Sequence, residues 1–225
     1  MPKSALHSAR VSATGWLAWL LLCAAIIGST ANAEPLVARY LPGEHYQLID
    51  APVAYSGDRM PVIEFFLYSC PHCFALDAAV TRWQQSLPDD VSFRRVPVLY
   101  QAAGRFYARL FYTAKTLGVL ERMHAKIFAA IHTQGKRLDN FQAARALFVA
   151  NGVNGERFKA AFNSPAIDKQ IAHAAQLMRA FAVRSVPSLG VAGRYWINGR
   201  MAGSNEAMFD VAEFLLQKTR LQDAK

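Results

Sequence analysis

The chain has 225 residues, 53% of them apolar, and a formal net charge of +9. Its length and apolar content are ample for one core, with room for an inserted subdomain. Lysines and arginines are scattered, with no run resembling a nucleic-acid arm and no such motif, so the charge reads as a basic surface without a nucleic-acid partner.

The first 33 residues differ from the rest. Lys3 and Arg10 give a positive start with no acidic residue, residues 16–27 are unbroken apolar, and Ala31-Asn32-Ala33 is a small-x-small cleavage signature. Residues 1–33 therefore read as a cleaved secretory signal peptide, and the mature chain begins at Glu34. The apolar stretch is short for a spanning helix, which needs about 20 residues. A lipoprotein anchor at Cys23 would need a small residue before it, where Leu22 stands. Of three cysteines only Cys70 and Cys73 then remain. One closely spaced pair is no structural framework for an exported protein. The loop it closes is so short that cross-linking would constrain the unfolded chain little. Redox chemistry is the better use for it.

In chain order, residues 46–48 read as a short edge strand. Residues 61–68 are β-branched and aromatic, with the near-continuous apolarity of a central strand covered on both faces. Cys70-Pro71-His72-Cys73 follows at the junction with a helix over residues 74–86. Two cysteines three apart share one helix face, so their sulfurs can approach bonding distance with little backbone movement. The first sulfur meets the free N–H groups of the helix start, which favour a thiolate. Residues 91–99 give a second strand interrupted by Pro97, and the β-α-β order makes the two strands parallel.

Residues 102–181 carry only helical spacing. Phe106, Tyr107, Leu110 and Phe111 begin it, and Met123, Ile127, Phe128 and Ile131 continue it. Asp139 is placed to cap a helix, with Gln142 in the capping-box position. Phe158 and Phe162 mark a short helix, and Ser164-Pro165 opens a longer one. Strands return at residues 189–191 and 195–197, a hairpin-like pair around Gly193. Asn198-Gly199 reads as a turn, and Asn205 opens a final helix with Met208, Val211, Ala212, Leu215 and Leu216 on one stripe. The pattern is an α/β sheet with an all-helical domain inserted in its middle.

Glu64-Phe65-Phe66-x-x-x-Cys70-Pro71-His72-Cys73, with Val186-Pro187 far downstream, resembles the DsbA family of periplasmic thiol–disulfide oxidoreductases. The resemblance implies a thioredoxin-like domain over residues 34–101 and 182–225, interrupted by a helical insertion at 102–181. It also implies that Cys70 is the nucleophile and Cys73 the resolving thiol. A substrate thiolate attacks Cys70, a mixed disulfide forms, and a second substrate thiol releases it. His72 brings donor capacity and positive charge, and Pro71 sits early in the helix. Pro187 matches a proline with a cis peptide bond facing the pair, exposing the Val186 backbone to a substrate chain. Glu64 matches an acid that assists proton transfer for the buried cysteine, with Arg95 as its charge partner where the family often has lysine. No bound cofactor is implied, since the Cys70-Cys73 disulfide is itself the redox group. The implied partners are reduced, unfolded exported proteins and a quinone-linked membrane protein (DsbB-like) that restores the disulfide. The protein is expected in the periplasm as a monomer.

Three other readings compete. A zinc site needs more ligands than one CxxC, and His45, His124, His132 and His173 have no zinc spacing; they read as satisfied surface or core histidines. A disulfide isomerase or reductase would use the same thiols, yet isomerases of this fold usually carry an N-terminal dimerisation domain, for which residues 34–61 are too few. A peptide-binding chaperone module would use an apolar groove near Val186 without redox turnover.

Overall fold

The computed structural model describes residues 39–224, which build a five-stranded mixed sheet covered by helices on both faces. The strands are β1 (Gln47–Leu48), β2 (Met60–Phe66), β3 (Val91–Pro97), β4 (Ser188–Val191) and β5 (Tyr195–Asn198), in spatial order β1-β5-β4-β2-β3. β2 is central: it runs parallel to β3 and antiparallel to β4. The signal peptide expected at residues 1–33 lies outside the described residues.

All seven residues of β2 are buried, which explains its lack of polar alternation. Ile63 and Phe65 pack into the core shared with the helices between β3 and β4. Met60 and Val62 belong to the opposite core, with Leu76, Val80 and Trp83 of α1 (Pro71–Ser86) and the final helix. Strand alternation puts Glu64 on the Met60/Val62 face, beneath α1.

Five helices lie between β3 and β4: α2 (Gln101–Thr116), α3 (Leu120–His132), α4 (Phe141–Ala150), α5 (Gly155–Phe162) and α6 (Pro165–Ala180). Aromatic packing docks this block on the end of β2. The Phe66 ring meets Tyr68 edge-on at 5.1 Å between centroids and Phe111 of α2 at 5.4 Å. Such pairs contribute about 0.5–1.5 kcal/mol each beyond their buried area. After the β4–β5 hairpin come α7 (Gly199–Ala202) and α8 (Ala207–Asp223). Among the described residues no helix is long and apolar enough to cross a membrane.

Several expected boundaries move, each for a local reason. β2 ends at Phe66, so Tyr68 lies in the loop before α1, and β3 ends at Pro97 rather than running through it. α1 begins at Pro71, the early proline position that the sequence indicates, with Cys70 as its cap. Asn140, not Asp139, caps α4: its side-chain oxygen accepts from Ala143 N–H, while Asp139 pairs with Arg137. Asn198-Gly199 is no turn but the start of α7, since the Asn198 side chain accepts from Met201 N–H at 2.9 Å. α8 begins at Ala207 rather than Asn205, and the Ser204 hydroxyl accepts from Ala207 N–H. Ser164 caps α6 with Pro165 behind it, as the sequence indicates. Gly193 holds the hairpin turn at φ +64°, where a Cβ would stand 2.2 Å from the Val53 carbonyl oxygen.

Candidate active site

α1 begins where central β2 delivers the chain, and this junction carries both sulfurs. Cys70 is the N-cap, with extended backbone (φ −86°, ψ 116°), and Pro71 occupies the first turn, where a missing N–H costs nothing. The Cys70 carbonyl accepts from Phe74 N–H, and its sulfur accepts from Cys73 N–H at 3.4 Å. Cys70 is half-buried and Cys73 fully buried, both as free thiols.

This placement drives the two thiols apart. The adjacent Cys73 thiol, donating to a Cys70 thiolate, is the largest influence; burial opposes it, and the backbone N–H groups of Cys73 and His72 and a charge on His72 assist. The result lowers Cys70 to about 6. Cys73, facing that anion and deeply buried, is pushed far above the usual thiol range. One sulfur is therefore an anion at neutral pH and the other a protonated thiol.

The loop before β4 faces the pair. The Val186-Pro187 bond is cis, and the Cys70 thiol lies 3.6 Å from the Val186 carbonyl oxygen. Exposed His72 lines a shallow pocket with Ser185, Val186, Pro187 and Arg200. The motif and the distant Val-Pro thus meet at one surface.

Beneath the pair lies a buried polar cluster. Glu64, 2% exposed, faces Arg95 in the parallel β2–β3 register, and Arg95 Nε donates to Glu64 Oε2 at 2.9 Å. A solvent-facing Glu64 is ruled out. The second arm of Arg95 reaches Asp77 Oδ1 (3.3 Å) and Thr81 Oγ1 (3.1 Å), both on α1. Burial, only partly countered by Arg95, lifts Glu64 to about 7.

Asp77, Thr81, Tyr68 and His124 escaped the sequence reading as site residues. His124 is a core histidine satisfied at both nitrogens, as the sequence indicates, and its partners belong to this cluster: Nδ1 lies 2.8 Å from the Tyr68 hydroxyl and Nε2 3.2 Å from Asp77 Oδ1. The spacing Cys73, Asp77, Thr81, in steps of four, was the available signal, since it puts two polar groups on the stripe of α1 below the buried sulfur. His132 also approaches, with Nε2 2.7 Å from the Tyr68 carbonyl oxygen and its ring stacked on Phe74 at 4.9 Å.

A low-pKa thiol capping a helix of a thioredoxin-like sheet, with a buried partner thiol behind it, defines a thiol:disulfide oxidoreductase. Comparison with known proteins agrees. Residues 102–215 match the family model of the DSBA-like thioredoxin domain. The thiol:disulfide interchange protein DsbA of Pseudomonas aeruginosa is 32% identical over 202 residues, covering 89% of this chain and 94% of that protein. Its counterpart in Pseudomonas syringae pv. tomato is 36% identical over 203 residues, covering 89% and 92%. The crystal structure of Pseudomonas aeruginosa DsbA superposes with a TM-score of 0.79 at 33% identity, covering 83% of this chain and 97% of that one. That of oxidoreductase DsbA from Xylella fastidiosa gives 0.75 at 29%, covering 80% and 98%. The chain belongs to the DsbA family.

Proposed function

We propose that this protein introduces disulfide bonds into reduced, unfolded exported proteins in the periplasm by donating a Cys70-Cys73 disulfide. The observation that carries the reading is the placement of the pair: Cys70 caps α1, its sulfur accepts from Cys73 N–H at 3.4 Å, and buried Cys73 stands behind it; this placement lowers Cys70 to about 6 and raises Cys73. A stabilised Cys70 thiolate favours the dithiol over the disulfide, so the pair oxidises what it meets.

A substrate thiolate attacks Cys70 Sγ of the oxidised pair. The Cys70–Cys73 bond breaks, a Cys70–substrate disulfide forms, and Cys73 leaves with the electron pair and takes a proton. Glu64 is the proposed donor, being the buried carboxyl that holds a proton near neutrality. A second substrate thiolate then attacks the substrate sulfur, and Cys70 leaves as a thiolate. Its low pKa makes it a good leaving group. Two electrons pass from substrate to enzyme, and a quinone-linked membrane protein of the DsbB kind removes them.

The contact between Cys70 and the Val186 carbonyl supports strand-like pairing of a substrate backbone with Val186, Pro187 and their neighbours. Backbone recognition suits many unfolded substrates. His72 and Pro71 belong to the same unit, His72 for charge and Pro71 for the helix start. The proposed boundaries are a thioredoxin-like domain of residues 34–101 and 182–225 and an insertion of 102–181, acting as a monomer without a bound cofactor. Equilibration with glutathione redox buffers, following the state of the pair, tests the reading. The expected poise is oxidising relative to glutathione; one as reducing as cytosolic thioredoxin would overturn it.

A further inference from the structure

The cluster below Cys73 buries one guanidinium between two carboxylates. Arg95 donates from Nε to Glu64 and from its terminal nitrogen to Asp77. Two carboxylates sharing one cation, Glu64 buried and Asp77 partly so, leave an uncompensated charge, and the cheapest relief is a proton on one of them. The structure indicates which. Asp77 receives a further donor from the inserted helical block, His124 Nε2 at 3.2 Å, whereas the hydrogen bond to Glu64 among the described residues comes from Arg95 alone.

The direction of these bonds follows from Tyr68. A buried phenol keeps its proton, and burial raises Tyr68 well above its usual range. Its hydroxyl donates to His124 Nδ1 at 2.8 Å. In a neutral imidazole the proton must then sit on Nε2, which points at Asp77.

We propose that His124 is a positioning residue: by donating Nε2–H to Asp77 it keeps that carboxylate ionised, assigns the shared buried proton to Glu64, and thereby sets the pH range over which the Cys70-Cys73 disulfide opens. This rests on the reading of Glu64 as proton donor to Cys73. The groups facing His124 are Tyr68 before α1, Asp77 of α1, Arg95 of β3 and, on its own helix, Glu121; the α2 residue packed on it, Phe111, is uncharged. Burial disfavours the imidazolium, outweighing Asp77 and Glu121. Burial would raise Asp77, but His124 and Arg95 hold it below the usual carboxylate value, while Glu64 stands at about 7. Each opening consumes the Glu64 proton as Cys73 leaves, and Cys73 returns it when the disulfide is re-formed.

Isotope-edited NMR of the side-chain carboxyls and imidazoles in the reduced full-length protein tests this. In the wild type His124 is expected as the neutral Nε2–H tautomer at neutral pH, with Glu64 titrating near neutrality and Asp77 below the usual carboxylate value. An imidazolium, or the Nδ1–H tautomer, overturns the proposal without any variant. His124→Phe places a phenyl ring among Phe66, Phe111 and Phe128. It should raise Asp77 and lower the Glu64 midpoint by about one pH unit or more, with a matching acidic shift in the rate–pH profile of disulfide opening. His124→Gln, which retains a donor, should restore both. Unchanged carboxyl titrations in His124→Phe overturn the proposal. Glu64→Gln separates the two claims: if its rate–pH profile matches the wild type, the Glu64 donor reading fails, while the NMR still decides whether His124 assigns the proton.

Discussion

The Cys70 sulfur lies 3.6 Å from the Val186 carbonyl oxygen, although 116 positions of sequence separate them. The strand order makes this contact: β4 returns beside β2, so the loop before β4 arrives where β2 hands the chain to α1. A half-buried thiol and a backbone carbonyl oxygen then share one surface.

Cys70→Ser should lose disulfide exchange entirely, because the other thiol among the described residues, Cys73, is buried. Cys73→Ser cannot hold the disulfide, but its Cys70 thiolate should attack a disulfide-bonded substrate, displace one substrate thiolate and then stall as a Cys70–substrate mixed disulfide visible on a non-reducing gel. Both variants forming the adduct equally would contradict the assignment of roles.

His72→Ser should raise the Cys70 pKa, since it removes a positive charge beside the thiolate. His72 is a lesser influence than the Cys73 thiol, so a rise of about one pH unit is expected. Alkylation rates measured against pH read it directly. The thiolate is present above the Cys70 midpoint and lost as pH falls through it, so the variant's curve should lie to the alkaline side.

Glu64 makes stability depend on pH with a definite sign. Its value is raised from an ordinary 4.5 to about 7, so the folded state holds the proton more tightly. The associated stability is fully present below 4.5 and is lost as pH rises to about 7, by roughly 3 kcal/mol. Urea unfolding of the wild type and Glu64→Gln across that interval should show the slope in the former and its loss in the latter.

Arg95→Met should destabilise by up to about 3–5 kcal/mol, because it leaves buried Glu64 and part-buried Asp77 without their cation. Arg95→Lys should cost less but not nothing: a single ammonium cannot reproduce the fork that meets Glu64, Asp77 and Thr81 together. The urea midpoints of the two variants test this order.

Much of the fold and of the catalytic surface was legible because its signals are local. Apolar β2, the Cys70–Cys73 spacing and Ser164-Pro165 each declare themselves within a few residues. Val186 and Pro187 were legible only through the family resemblance, since nothing local distinguishes them from an ordinary loop before a strand. The buried cluster was half legible: Glu64 stood out as a carboxyl in an apolar strand, with Arg95 on the neighbouring strand. Its far side did not, because Asp77 and His124 meet only when α3 docks against α1, and a lone histidine in a helix with an apolar stripe carries no mark of its partner. The misplaced helix starts at Asp139 and Asn205 have a simpler cause. Adjacent polar residues can all cap in principle, and tertiary partners decide; Arg137 claimed Asp139 and left Asn140 to the helix.

The ultraviolet absorbance of the thiolate, followed against pH in the reduced protein with Cys70→Ser as the blank, tests the central claim most directly. A midpoint of about 6 is the expected result. Titration at the ordinary thiol value of 9.0 would contradict it, since nothing would then favour the dithiol over the disulfide.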